Sequence, residues 1–426
     1  MNTVGAGLAG AAVASAAEAQ APRRKPRIAA ITSVYHYLSH AYHIVGRFLD
    51  GFVVNDGRGL HRPEFDVASL YIEQTPEKTD LGRAKARDFD VRLAPDIADA
   101  LTLGTGRLAV DAVLLIAEHG DYPFNERLQK LYPRKRYFDQ VLEVFAASGR
   151  TVPVFIDKHL SYDRFEGLAM ADAARKANVP LMAGSSLPVT WRLPALEPPL
   201  GLPWKEAVVA SRGELEIFGF HALETLQCMV ERRDRGGKPQ GVVAVTCLEG
   251  DAVWQAGERG EWSRELLDEA LSRSHTRNPG DMRKNVRDFT APPGRPTFLN
   301  GPFAFRVEYA DGFVGWSLIL NGHVDDTSFA ARIDRPRDPV VSSLFYLPAP
   351  PGANFFNPLV LRIEDFFRSG RSPYPVERTV LTTGMIDAVC RSRFEKGKRI
   401  ETPELAAIDY EAPADSGFIR TPVART

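Results

Sequence analysis

From residue 27 onward the chain alternates short apolar runs with amphipathic stretches, the pattern of βαβ units wound around a parallel sheet. Buried strands are predicted over residues 27–33 (RIAAITS), 65–73 (FDVASLYIE), 110–117 (VDAVLLIA), 152–156 (VPVFI) and 180–183 (PLMA), and helices over 39–49, 95–101, 137–147 and 164–177. VDAVLLIA is the strongest strand signal in the chain, an unbroken apolar run suited to burial on both faces. The pattern changes in the second half. Residues 242–247, 304–309 and 315–320 read as strands separated by turns, the last two joined by the hairpin signal Ala310-Asp311-Gly312, with a helix over 214–231 to pack on them. A Pro-rich stretch, residues 194–203, links the two halves, and a helix over 380–396 runs into a polar turn, KGKRIETPE. The expectation is an α/β protein with a parallel-sheet domain over 26–192. An α+β domain with a mostly antiparallel open sheet follows over 193–426, its C-terminal segment packing back on the first.

The length, 426 residues with 44% hydrophobic, suits two cores. Lys and Arg (53) balance Asp and Glu (54), so no nucleic-acid partner is indicated and a small neutral ligand is the default. Cys228, Cys247 and Cys390 are far apart and read as buried thiols. No segment of the later chain approaches the ~20 apolar residues that span a bilayer, so no membrane partner is expected. Residues 1–25 differ: the first 21 are small and apolar and offer an Ala17-Glu18-Ala19 cleavage pattern, as at the end of an export signal. A periplasmic or secreted protein is expected, with a disordered tail on a cytoplasmic protein as the alternative, since no basic residue precedes the apolar run.

Open parallel sheets bind ligands at the carboxyl ends of their strands. Those ends carry His36 and His40, the run Glu118-His119-Gly120-Asp121-Tyr122, then Asp157-Lys158-His159, and Ser185-Ser186. The helix of the second domain adds His221 and Glu224, so that five of nine histidines (36, 40, 119, 159 and 221) fall on one rim. As acid–base chemistry, Lys158 and His221 would move a proton on a hydroxyl, burial lowering the lysine pKa. As a metal site, His36 and His40, four apart on one helical face, would hold a divalent ion with Glu118, His119 or Asp157. The plain alternative is that His36 and His40 cap and pack the first helix. The basic run Arg134-Lys135-Arg136, in an insert over 125–136, reads as a solvated face or as a seat for a ligand anion. The aromatic pairs Tyr35/Tyr37 and Phe355/Phe356 read as core or as platforms for a sugar ring.

The stretch 110–192 resembles the core of the glucose-fructose oxidoreductase and inositol dehydrogenase (Gfo/Idh/MocA) family. VDAVLLIAEH stands where members carry VDAVxIATP, Asp157-Lys158-His159 where they carry Glu-Lys-Pro, and AARKANVPLMAGSS where they carry AxxxGVPLMVG. Further on, Ile217-Phe218-Gly219-Phe220-His221 and Glu224 stand at the family's D-x-G-x-H-x-x-D, and EKGKRIETPE at its C-terminal turn. The resemblance implies a Rossmann-like first domain, and NAD or NADP meeting a carbohydrate or polyol in the cleft, in a homo-oligomer. It implies that Lys158 lies near the nicotinamide and the reacting hydroxyl, with Asp157 and His159 beside it, and that His221 acts as acid/base with Glu224. Ile217 replaces the family aspartate; its neighbour Glu216, on a helix, points about 100° away. The cofactor would meet Thr32 and Ser33, Glu73 at its ribose, Glu118 and His119. Yet Thr32, Val34 and Tyr37 stand where a dinucleotide loop needs glycine, and side chains of that size would fill the phosphate seat, leaving only a helix N-terminus to attract an anion. The expected function is therefore an oxidoreductase acting on a carbohydrate or polyol with NAD(P) held in an altered way. A cofactor-free, metal-dependent or metal-free hydrolase or lyase of a sugar-like substrate is the alternative, and a non-catalytic sugar-binding protein the third.

Overall fold

The computed structural model describes residues 24–54, 59–335 and 340–421, together with Met1. The export-like segment expected over 1–25 lies, apart from its ends, outside the described residues. The first half runs β1 (Arg27–Thr32), α1 (His40–Asp50), β2 (Phe52–Val54), β3 (Gly59–His61), β4 (Asp66–Ile72), α2 (Gly82–Asp88), β5 (Arg92–Ala94) and α3 (Ile97–Thr102). It continues with β6 (Ala112–Ile116), α4 (Arg134–Ser148), β7 (Val154–Asp157), α5 (Arg164–Lys176) and β8 (Leu181–Gly184). Six of these strands form a parallel sheet in the order β5-β4-β1-β6-β7-β8, while β2 and β3 pair antiparallel apart from it. Every residue of β6 is buried, as its apolar run requires. The helices start where side chains cap them: Ser39 accepts from Tyr42 N at α1, Asp96 from Asp99 N at α3, and Asp163 from Phe165 N and Glu166 N at α5.

The second half runs β9 (Trp191–Leu193), β10 (Trp204–Ser211), α6 (Ile217–Val230), β11 (Val242–Glu249), α7 (Asp251–Glu258), α8 (Arg264–Ser272), α9 (Met282–Arg287), β12 (Phe303–Tyr309), β13 (Val314–Ile319) and β14 (Thr327–Ile333). It ends with β15 (Val341–Tyr346), α10 (Phe356–Ser369), α11 (Val376–Phe394), β16 (Ile400–Glu401) and α12 (Pro403–Ala406). Eight strands form one sheet, β16-β11-β12-β13-β10-β14-β15-β9, antiparallel except between β10 and β13. Alternation along the strands separates two cores. Ala207, Val209, Phe305 and Phe329 face α6 and α11, whereas Val208, Ala210, Trp316 and Ala330 face α7, α8 and α9.

Several expectations shift. KGKRIETPE, read as a turn, contributes the edge strand β16. Helix α4 begins at Arg134 instead of Tyr137 and so takes in the basic run. After the second sheet the chain returns to the first: α10 packs on α1, and α11 lies between α5 and β8 on one side and α6 and β11 on the other.

Candidate active site

At the carboxyl ends of β1, β6, β7 and β8, where α6 and the 349–356 segment face them, lies a cleft of about 690 Å³. Its first wall is built around Glu118. Lys158 leaves β7 in the left-handed region (φ 64), its N–H donating to Gly184 O at 3.0 Å, and its Nζ donates to Glu118 Oε1 at 3.1 Å. The other oxygen, Oε2, accepts from Arg134, which is fully buried. Burial opposes the charged carboxylate, but the charges of Lys158 and Arg134 outweigh it and hold Glu118 well below the usual carboxylate range. The basic run divides: Arg134 is buried behind Glu118, while Lys135 and Arg136 stay on the surface, paired with Asp139 and Glu73.

Beside it, at the end of β8, lies a relay. Gly184 has φ 132, and a Cβ there would lie 2.7 Å from Tyr374 OH and 3.0 Å from Glu224 Oε1, so glycine lets the strand end pass close to α6. The next residue, Ser185, donates its N–H to Glu224 Oε1 (3.0 Å) and its hydroxyl to Glu224 Oε2, and its Oγ lies 2.9 Å from His221 Nδ1. Burial raises Glu224 to about 7, and burial, helped by the charge of Lys158, drives His221 well below the usual histidine range. His221 is thus neutral. With the Ser185 hydroxyl donating to Glu224, the bond to Ser185 Oγ requires the His221 proton on Nδ1, which leaves the Nε2 lone pair free.

Asp157, the last residue of β7, accepts from His40 Nδ1 at 2.6 Å. His36 and His40 do not share a helical face: Ser39 caps α1, the helix begins at His40, and His36 sits in the preceding loop, bridged to Asp80. Among the described residues no group of three or more His, Cys, Asp or Glu is arranged to hold a metal ion. The rings of His36 and His40 instead stand 5.5 and 5.3 Å from that of His119, whose pKa burial and the His40 charge lower to about 3. His159 lies behind the cleft wall, with Nε2 3.3 Å from Arg134 Nη1 and 3.6 Å from Glu216 Oε1. Burial drives His159 well below its usual range and raises Glu216 to about 8, so the two meet as neutral groups rather than as an ion pair. Glu216, as expected, does not line the cleft: it precedes the first turn of α6 and accepts from Lys130 N at 2.8 Å. His43, Lys130, Arg212 and His275 also line the cleft and were missed. Only His43 had a signal, its three-residue spacing from His40.

The expected cofactor contacts are used otherwise. Thr32 and Ser33 are fully buried, their hydroxyls donating to Tyr71 O (2.9 Å) and Glu118 O (2.7 Å). Glu73 is held by Arg136 at 2.6 Å, outside the cleft wall. Val34 and Tyr35 are buried instead of filling a phosphate seat, Tyr35 in the core beneath α1, and Tyr37 is exposed away from the cleft, so the Tyr pair is no sugar platform; Phe355 and Phe356 do line it. Beside them, Gln74 ties the ends of β4 and β6 together, donating to Asp121 O (3.1 Å) and accepting from Asp121 N (2.8 Å).

No protein-family model matches the chain, and no curated protein matches it in sequence. Solved structures do. GenD2 from gentamicin A biosynthesis, in complex with NAD, superposes with a TM-score of 0.54 at 16% identity over 89% of this chain and 96% of that one. An oxidoreductase from Agrobacterium radiobacter, in complex with NAD+, L-tartaric acid and magnesium, gives 0.51 at 12% identity over 89% and 98%. The fold is that of these NAD-bound proteins. A Gfo/Idh/MocA family oxidoreductase from Vibrio cholerae is a further structural neighbour, at TM-score 0.47 and 14% identity over 87% and 99%. The fold ordinarily seats a dinucleotide's pyrophosphate on glycines at the start of the first helix and its ribose on the acid ending the second strand. The residues here do not fit a dinucleotide held that way. The imidazoles of His36, His40 and His119 gather at the first turn of α1, Glu73 is paired with Arg136, and Gln74 ties the loop after β4 to Asp121 after β6.

Proposed function

We propose that the chain is a lyase-type enzyme that abstracts a proton from a carbohydrate-derived substrate in this cleft, without a dinucleotide in the seat its fold usually provides. The observation that carries the reading is the His221–Ser185–Glu224 relay, which presents a neutral imidazole to the same cleft as the Lys158–Glu118 pair. His221 Nε2 takes a proton from carbon next to a carbonyl or carboxylate; as that C–H bond breaks, its electrons form a C=C bond and the hydroxyl on the next carbon departs. The Lys158 ammonium stabilises the oxyanion that develops at the carbonyl. Glu224, as the carboxylate that accepts the Ser185 hydroxyl, and Ser185 hold the imidazole in the tautomer this step needs. The cleft volume suits a sugar-sized ligand, and Tyr346, Phe355 and Phe356 give apolar faces for one.

The second reading, oxidation of the same class of compound by NAD(P), is favoured by the fold shared with GenD2 and the Agrobacterium oxidoreductase. One experiment separates them. The purified protein is denatured and the supernatant analysed for nucleotide by mass spectrometry, and the native protein is incubated in D2O with aldoses, polyols and aldonic acids under proton NMR. Solvent deuterium appearing at a substrate carbon, with no nucleotide released, is the expected result. Stoichiometric NAD or NADP, with oxidation that brings no solvent deuterium into carbon, would establish the second reading instead.

A further inference from the structure

The departing hydroxyl of the proposed reaction needs a proton, and His221, as the base, does not supply it. We infer that His40, fixed by Asp157, is a second acid–base group of the cleft, which it lines together with His221. His40 is the first residue of α1 and His221 lies on α6, so the two imidazoles come from different domains, yet both line the same cleft. Its ring stands 5.3 Å from that of His119, and its partner Asp157 immediately precedes Lys158 at the end of β7, which sets it among these groups.

The geometry is that of an oriented imidazole. His40 Nδ1 lies 2.6 Å from Asp157 Oδ2, and the aspartate side chain is 1% exposed while the histidine is 16% exposed. A buried carboxylate on Nδ1 fixes the tautomer and directs Nε2 away from itself, and it stabilises the imidazolium when that forms. Nε2 has no hydrogen-bond partner among the described residues. The ring is held from both sides, by the edge of Phe356 at 5.1 Å and by His119 at 5.3 Å. Its backbone is held too, because Ser39 caps α1 immediately before it. A packing histidine needs neither the carboxylate nor the exposure. Burying Asp157 is costly, and its second oxygen, Oδ1, has no hydrogen-bond partner among the described residues.

In the proposed elimination His221 Nε2 receives the carbon-bound proton and the C–O bond breaks toward oxygen. The His40 imidazolium passes its Nε2 proton to that oxygen, and water leaves. His40 is then neutral with its remaining proton on Nδ1 toward Asp157, His221 is protonated, and exchange with solvent restores both. No electrons leave the substrate, so no oxidant is required.

This role rests on the lyase reading, but the dyad itself can be tested without it. In protein labelled with 15N-histidine, a downfield Nδ1–H resonance is expected that disappears in His40→Asn and moves upfield in Asp157→Asn; its absence from the wild type overturns the dyad. On a compound that exchanges in D2O, His40→Asn is expected to lose net elimination by on the order of 100-fold while keeping deuterium exchange at carbon within about threefold, since the two protons pass through different groups. His221→Asn should lose both. Elimination by His40→Asn at the wild-type rate overturns the acid role, as does an equal loss of exchange and elimination in a variant whose melting curve matches the wild type. If the wild type exchanges nothing, the lyase reading fails and the role of His40 with it, while the resonance still decides whether the dyad exists.

Discussion

Glu118 and Glu216 are both buried carboxyls near Arg134, and they sit in opposite protonation states for a reason visible in their contacts. Glu118 meets two cations directly, Lys158 and Arg134, so its charge is compensated. Glu216 meets a backbone N–H and a neutral imidazole, which do not offset burial, and it stays protonated to about pH 8. A carboxyl whose folded pKa lies above its unfolded value has a definite linkage sign. Below about pH 4.5 both states hold the proton and nothing is gained or lost; above it the unfolded chain releases the proton while the native state keeps it, so stability falls until the folded pKa is passed. Glu216→Gln keeps an oxygen for Lys130 N and removes the titration. Urea denaturation at pH 5 and pH 8 should therefore find the variant gaining on the wild type with rising pH, by on the order of 3 kcal/mol across that interval. An unchanged difference between the two proteins would mean that Glu216 is ionised in the native state.

At the scale of elements, the helix caps decide where side chains enter the site. Ser39 sits between His36 and His40, and because α1 starts after it, a spacing that reads as one helical face is split between a loop and a helix end. Ser39→Ala should cost about 1 kcal/mol of stability in denaturant titrations, the usual value of an N-cap. It should also weaken the His40 Nδ1–H resonance; stability lost with the resonance intact would show that Asp157 alone orients the ring. Much of the site was legible because Asp157, Lys158, Ser185, His221 and Glu224 all end strands or follow a motif whose spacing the fold preserves. Arg134 was not. Nothing near it foretells that the first residue of a helix will be buried, since its partner Glu118 lies on another strand end and the loop between them has no periodicity. Strand β10 was missed for a similar reason: its first half, Trp204-Lys205-Glu206, is polar and follows a Pro-rich link, and only the pairing with β13 and β14 places it in the middle of the sheet. The filling of the dinucleotide loop was half legible, the lost glycines being plain in the sequence while the fate of their replacements depended on packing against α1.

At the scale of the molecule, the cleft exists because α11 holds the two sheets in one arrangement. Toward the first sheet, Thr379 Oγ1 donates to Ala183 O at 2.7 Å, Thr383 Oγ1 accepts from Leu160 N at 3.1 Å, and Asp387 receives Arg127 and Arg164. Toward the second, Arg378 pairs with Glu231 after α6, and Ser392 Oγ accepts from Cys247 N at 2.8 Å. Leu381, Met385, Ile386 and Val389 complete the core around α6, while Val380 belongs to the core of the first sheet. The helix closes the inner core of the second sheet and is tied to the first by these hydrogen bonds and ion pairs, so the two sheets should unfold together. Two-domain chains commonly unfold in separate steps, yet here the shared element couples them. Scanning calorimetry should accordingly give one transition, with calorimetric and van't Hoff enthalpies in agreement, although the chain is long for such behaviour. Asp387→Ala removes the buried carboxylate that Arg127 and Arg164 share, leaving Arg164 with Glu404 alone, and should lower that single transition, by less than the about 3–5 kcal/mol of a fully unpaired buried charge. Two resolved transitions in the wild type would mean that one sheet keeps its core without α11, and the cleft would then be free to open as a hinge rather than fixed by the fold.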